Sequence, residues 1–200
     1  RELREIVRRF DDRPVTAGID QSDQAIKNNL AAELDVPGWN YKPQRYEEYH
    51  KLLPGKPQYG SETASTVSTR GFYAFPVVEG SRTYECEQCS GYDLEYPPWA
   101  TTPDTEFQAQ EECPWILGEF VWTGFDYLGK PTPYNQNWPV HSSYFGIFDL
   151  GGIPKDRMWL YAARWSGKPV LHLLPHWNWP SRLGEITPVH VYTNYPAVEL

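Results

Sequence analysis

The 200 residues predict an α/β fold built on a parallel sheet. Three observations carry that prediction. Apolar strand-like runs recur about every 20 residues, segments of helical period lie between them, and past residue 170 the pattern changes to short β runs alone. Four strands with interposed helices make either half of a (β/α)₈ barrel or part of an open doubly wound sheet. No Gly-x-Gly-x-x-Gly follows any strand and no phosphate loop is present, which counts against a nucleotide-binding sheet.

The elements follow in chain order. Leu3, Ile6, Val7 and Phe10 fall at i, i+3, i+4 and i+7, one stripe of an amphipathic helix. Residues 15–19 read as a buried strand, and 23–33 as a helix with Asp23 as its cap. A second strand is expected over 34–41, a short helix over 46–53 and a third strand over 57–61. Residues 71–114, rich in Gly, Pro, Cys and aromatics, break the rhythm and read as a long insertion. A fourth buried strand is expected over 115–126, with a helix over 156–165. Short β runs follow at 170–174 and 187–193, which puts a domain boundary at Lys168-Pro169 and gives domains 1–168 and 169–200. No Met, signal segment or capping residue precedes the first helix, and 188–200 reads as strand, turn and strand without a terminator. The chain is therefore expected to be a piece of a longer protein.

Composition narrows the partners. Eighteen Lys and Arg against 26 Asp and Glu give a net charge of −8, the wrong sign for attracting nucleic acid or anionic lipid. No apolar run approaches the length of a bilayer span, so no membrane partner is expected. Nine Trp, 14 Tyr and 19 Pro suit a loop-rich surface that stacks flat apolar faces, for which sugar rings are a candidate. Cys86, Cys89 and Cys113 are an odd number and complete no zinc motif; His172, His176 and His190 are too scattered for one. No Gly-x-Ser-x-Gly elbow offers a serine nucleophile.

In a barrel, chemistry sits where strands end at their carboxyl side. Glu62 follows the third strand within Tyr59-Gly60-Ser61-Glu62-Thr63-Ala64-Ser65. A carboxylate emerging there among small hydroxyl residues suits the nucleophile of a retaining glycosidase, or else caps the next segment or pairs with Arg70. Asn40 and Tyr41 end the second strand: a phenol hydroxyl there reaches a neighbouring carboxylate and the amide holds a sugar hydroxyl, unless both are rim packing residues. Trp122 ends the fourth strand and offers an indole floor for a pyranose. Glu119 and Asp126, beside it, are a second acid and a substrate-hydroxyl ligand, or paired structural charges.

Taken together, these segments resemble glycoside hydrolase family two, in its β-galactosidase-like branch. The resemblance rests on Gly60-Ser61-Glu62-Thr63-Ala64-Ser65 and Gly118-Glu119-Phe120-Val121-Trp122-Thr123-Gly124-Phe125-Asp126-Tyr127. It extends through Ser142-Ser143-Tyr144-Phe145-Gly146-Ile147-Phe148-Asp149, Pro154-Lys155-Asp156-Arg157 and Leu171-His172-Leu173-Leu174-Pro175-His176-Trp177-Asn178-Trp179, and is weakest in the insertion. It implies the C-terminal half of a (β/α)₈ barrel, strands five to eight, followed by the first strands of an immunoglobulin-like β-sandwich. It also implies Glu62 as nucleophile, Tyr41 as its hydrogen-bond donor and Trp122 as the sugar platform. Asn40, Glu119 and Asp126 carry over less directly, as polar residues near the substrate.

The implied function is retaining hydrolysis of terminal β-D-galactosides, with β-glucuronidase and β-mannosidase on the same scaffold, or a non-catalytic carbohydrate-binding module, as alternatives. The family's acid/base is a Glu in an Asn-Glu pair, and no such pair occurs here, so that residue is expected upstream and the 200 residues alone are expected to be inactive. Ser65 stands where many β-galactosidases carry a substrate- and metal-contacting His, so no metal or other cofactor is expected. A homo-oligomer and an extracytoplasmic location are compatible with the family for the full-length protein.

Overall fold

A computed structural model of the chain describes residues 2–80, 86–130 and 142–199. Arg1, Leu200 and residues 81–85 of the expected insertion lie outside that set. The elements are α1 (Glu2–Val7), β1 (Thr16–Ile19), α2 (Ser22–Lys27), α3 (Leu30–Glu33), β2 (Val36–Asn40), α4 (Tyr46–Leu52), β3 (Gln58–Ala64), α5 (Pro103–Glu112), β4 (Ile116–Trp122), α6 (Asp156–Trp165), β5 (Leu171–Leu174) and β6 (His190–Thr193). They fall into two compact units, Arg1–Ser65 with Trp99–Trp122, and Thr66–Pro98 with Thr123–Leu200.

The first unit holds a four-stranded parallel sheet in the order β1-β2-β3-β4. A parallel neighbour requires a crossover, and helices supply those between β1, β2 and β3. The core lies between one sheet face and the helices. Trp39 on β2 is fully buried, stacks on Tyr49 of α4 at 4.0 Å, and donates its indole N–H to Gln58 Oε1 at 2.8 Å. Ile19, Ala31, Leu34, Leu53 and Ile116 complete that cluster. The opposite face is open at its amino-terminal end. Leu117 and Phe120 are 68% and 69% exposed there, and with Pro14, Val36 and Tyr59 they line a depression of about 530 Å³.

In the second unit, β5 and β6 form an antiparallel pair with Leu171 opposite Thr193 and Leu174 opposite His190. Two buried cations in it are held by polar partners. Lys155 donates to Asp126 at 2.8 Å and to the Ser68 carbonyl at 2.6 Å, while Arg157 donates to the Phe145 and Gly146 carbonyls. Burial pushes the Lys155 ammonium down to about 8, against the pull of Asp126.

Four expectations change. The helix expected over 23–33 is two helices, α2 and α3, because Asn29 between them is left-handed at φ 62°. Gln21, not Asp23, is the N-cap, and Asp23 instead pairs with Arg45. The third strand runs past 61 to Ala64, so Glu62 lies inside β3. Finally, α5 forms inside the expected insertion, with Thr102 at its N-cap position, Pro103 in its first turn and Asp104 and Glu106 at its positive end. Of the expected amino-terminal stripe, Leu3, Ile6 and Val7 lie in α1 and Phe10 lies beyond its end, and the helix has no buried residue among those described. No described helix is long and apolar enough to cross a membrane.

Candidate active site

Parallel pairing with a staggered register places the expected residues of β2 and β3 side by side. Asn40 is the cross-strand partner of Glu62, and Ala64 that of Trp122. Immediately after β2 the chain turns at Tyr41, whose φ is 55°. The turn lets Tyr41 bond Glu62 twice. Its main-chain N–H donates to the Glu62 carbonyl at 2.8 Å, and its phenol donates to Glu62 Oε2 at 2.6 Å. A hydroxyl bonded to a carboxylate at this length is a charge-assisted contact.

Two neighbouring groups are polar and neutral. Asn40 is buried, and its Oδ1 accepts from Ser61 Oγ at 2.6 Å. The Lys42 ammonium turns back to the Asn40 carbonyl at 3.1 Å. Ala64 and Ser65, at the end of β3, are also left-handed, with φ 57° and 60°. Left-handed non-glycine residues are costly, and three of them flank Glu62 and its partner, a pattern found where backbone geometry serves function.

Behind the strand lies a buried network. Thr63 donates its hydroxyl to the Glu119 carboxylate, and Tyr46 of α4 donates to Glu106 Oε1 at 2.6 Å. Burial, reinforced by Glu119, pushes the Glu106 carboxyl up to about 7. Burial likewise raises the Tyr46 phenol. Glu119, expected near the substrate, is thus engaged with the residue that follows Glu62. Asp126 belongs to the second unit, where Lys155 and the Gly146 N–H occupy it. Burial raises its carboxyl while Lys155 opposes the rise. Arg70, considered as a partner of Glu62, is bonded to Asp149 within the second unit at 2.7 Å.

One residue at the rim had no signal in the sequence pattern. Trp99 is 44% exposed and its ring lies 4.7 Å from that of Tyr41, tilted 59°. It comes from the segment leading to α5, which the Thr101 N–H bond to the Ala64 carbonyl ties to the end of β3. Among the described residues no group of three or more His, Cys, Asp or Glu gathers where a metal ion could be held. Cys86, Cys89 and Cys113 are all free thiols.

The fold is matched by known glycosidases, and the chain is homologous to glycoside hydrolase family two. Among curated proteins it is 40% identical to the β-galactosidase BoGH2A of Bacteroides ovatus over 176 residues, which covers 84% of this chain and 20% of that enzyme. It is 38% identical to a putative β-glucuronidase of Formosa agariphila over 197 residues, covering 84% of this chain and 19% of the relative. A solved β-glycosidase from Bacteroides vulgatus superposes with a TM-score of 0.76 at 31% identity, over 96% of this chain and 27% of that one. The chain thus spans about a fifth of the length of the curated relatives it matches. No protein-family model matches it.

Proposed function

We propose that this chain is part of the catalytic region of a retaining exo-glycosidase that hydrolyses terminal β-D-galactosides. In this reading β1–β4 are the last four strands of a (β/α)₈ barrel spanning 1–168, whose missing half covers the open apolar depression, and 169–200 begins a β-sandwich. The observation that carries it is the 2.6 Å bond from the Tyr41 phenol to Glu62, at the carboxyl end of a parallel strand.

Glu62 attacks the anomeric carbon as an upstream carboxylic acid protonates the leaving oxygen, giving a covalent glycosyl-enzyme. Water then hydrolyses that ester, with the same upstream residue acting as base. Tyr41 holds the attacking carboxylate at a fixed angle. Trp122 supplies the floor for the sugar ring, Asn40 binds its hydroxyls, and Glu119 acts through Thr63, whereas Asp126, held by Lys155 and the Gly146 N–H, is a structural charge of the second unit. A galactoside is favoured because Tyr41, Asn40 and Ser61 around Glu62 are neutral hydrogen-bonding groups suited to sugar hydroxyls. The similarity to a β-galactosidase supports the same choice.

The test is to incubate the intact protein with an activated 2-deoxy-2-fluoro-β-galactoside and map the adduct by mass spectrometry. The peptide containing Glu62 is expected to carry the sugar. A labelled peptide elsewhere, or turnover without a trapped intermediate, would overturn the assignment. The corresponding fluoro-glucuronide and fluoro-mannoside separate the alternatives.

A further inference from the structure

The strand that carries Glu62 is irregular where it matters. Between Gly60 and Thr63 the pairing of β3 with β4 slips, so that three steps on β3 answer two on β4, from Glu119 to Val121. Such a bulge re-aims side chains, and it persists only when something fixes it. Two carboxyl groups lie against this stretch from the back. A Cβ built on Gly60 would stand 2.4 Å from Thr63 Cγ2, 2.8 Å from the Tyr46 hydroxyl and 3.3 Å from Glu106 Oε1, so these groups fill the space behind the strand that only a glycine leaves open. Glu119 takes the Thr63 hydroxyl. Glu106 is fully buried, its Oε1 accepts from Tyr46 and from Gln110 Nε2 at 3.1 Å, and its Oε2 has no hydrogen-bond partner among the described residues.

We propose that Glu106 is a positioning residue for the Glu62 carboxylate: neutral, it packs behind Gly60 and holds the bulge, and ionised, it repels Glu119 and pulls Thr63, and with it Glu62, out of line. This rests on the reading of Glu62 as nucleophile. The charged and titratable groups facing Glu106 are Glu119 from β4 and Tyr46 from α4, with Cys113, beyond α5, acting on Tyr46. None supplies a cation. Burial and the Glu119 carboxylate favour the neutral form, with ionisation near pH 7, while the Tyr46 and Gln110 bonds favour the charged form. A carboxylate created there has one oxygen unbonded in a fully buried site, which is the costly case. The strain it creates has a short route to the chemistry, through Glu119 to Thr63, the residue after Glu62.

The experiment measures the rate at which 2,4-dinitrophenyl 2-deoxy-2-fluoro-β-galactoside labels Glu62 in the intact protein, from pH 5 to 9. So good a leaving group needs no protonation, so the upstream acid drops out of the profile and nucleophile alignment remains. The unmodified protein is expected to label at least threefold more slowly above pH 8 than at pH 6. In Glu106→Gln, which cannot ionise, that decline should vanish with binding of the reagent unchanged. In Tyr46→Phe, which removes a bond favouring the charged form, the decline should move to higher pH. A purely structural role would shift thermal unfolding in these variants and leave the shape of the labelling profile alone. Profiles that coincide for all three proteins, with Glu62 labelled in each, overturn the positioning role only. Absence of any Glu62 adduct in the unmodified protein overturns the glycosidase reading and this inference with it.

Discussion

Replacing Tyr41 by Phe removes one oxygen and little else. The ring contact with Trp99 and the main-chain bond to the Glu62 carbonyl do not depend on the hydroxyl. What is lost is the 2.6 Å bond to Glu62 Oε2. A hydrogen bond to a charged group contributes about 1.5–3 kcal/mol. If that bond aligns the carboxylate for attack, its loss appears in the barrier, and at about 1.4 kcal/mol per decade it lowers kcat/KM roughly 10- to 150-fold. The assay is hydrolysis of an aryl β-galactoside by the intact protein, paired with thermal unfolding to show that the fold is retained. The labelling rate of the fluorinated reagent should fall in the same proportion. Undiminished kcat/KM and labelling in a folded Tyr41→Phe protein would refute the argument that this bond orients the reacting group.

Two further predictions concern the scaffold. Trp39→Ala empties a fully buried site, unstacks Tyr49 and strands the Gln58 amide, so a loss of about 3–5 kcal/mol is expected in denaturant unfolding followed by Trp fluorescence. A loss under about 1 kcal/mol would show that the helix layer does not depend on this residue. Lys155→Ala leaves the buried Asp126 carboxylate without its cation and should cost roughly 3–5 kcal/mol, read by the same titration. Near-native stability in that variant would mean that Asp126 is accommodated neutral or by water.

Much of the sheet was legible because its strands read as apolar runs: β1 and β2 lie within their expected ranges and α6 coincides with its range, but β1 and β4, expected buried, have only Ile19 and Ile116 buried because their other face is open. Where the reading fell short, the reason is local. Helix α5 carries only Phe107 and Ala109 as apolar residues in Asp104-Thr105-Glu106-Phe107-Gln108-Ala109-Gln110, so no stripe announces it, although Thr102-Pro103-Asp104 is a start signal that could have been used. The break between α2 and α3 depends on one left-handed Asn, which a helical period does not reveal. Polar Glu62 and Thr63 disguise the end of β3, yet the strand continues through its bulge to Ala64.

The candidate site shows the same division. Tyr41 and Glu62 are 21 positions apart, and their meeting depends on parallel pairing and a turn at φ 55°, so the family resemblance, and not their spacing, implies it. Trp99 and Glu106 come from the stretch read as an insertion. Their places beside Tyr41 and behind Gly60 depend on a long return of the chain that no period encodes.

In the proposed mechanism the Glu62 carboxylate forms the bond to sugar. The most direct measurement compares the intact protein with its Glu62→Gln variant in steady-state hydrolysis of a β-galactoside. A folded variant with turnover reduced by several orders of magnitude, and no covalent sugar adduct, is the predicted result. Turnover within a few-fold of the unmodified protein would contradict it.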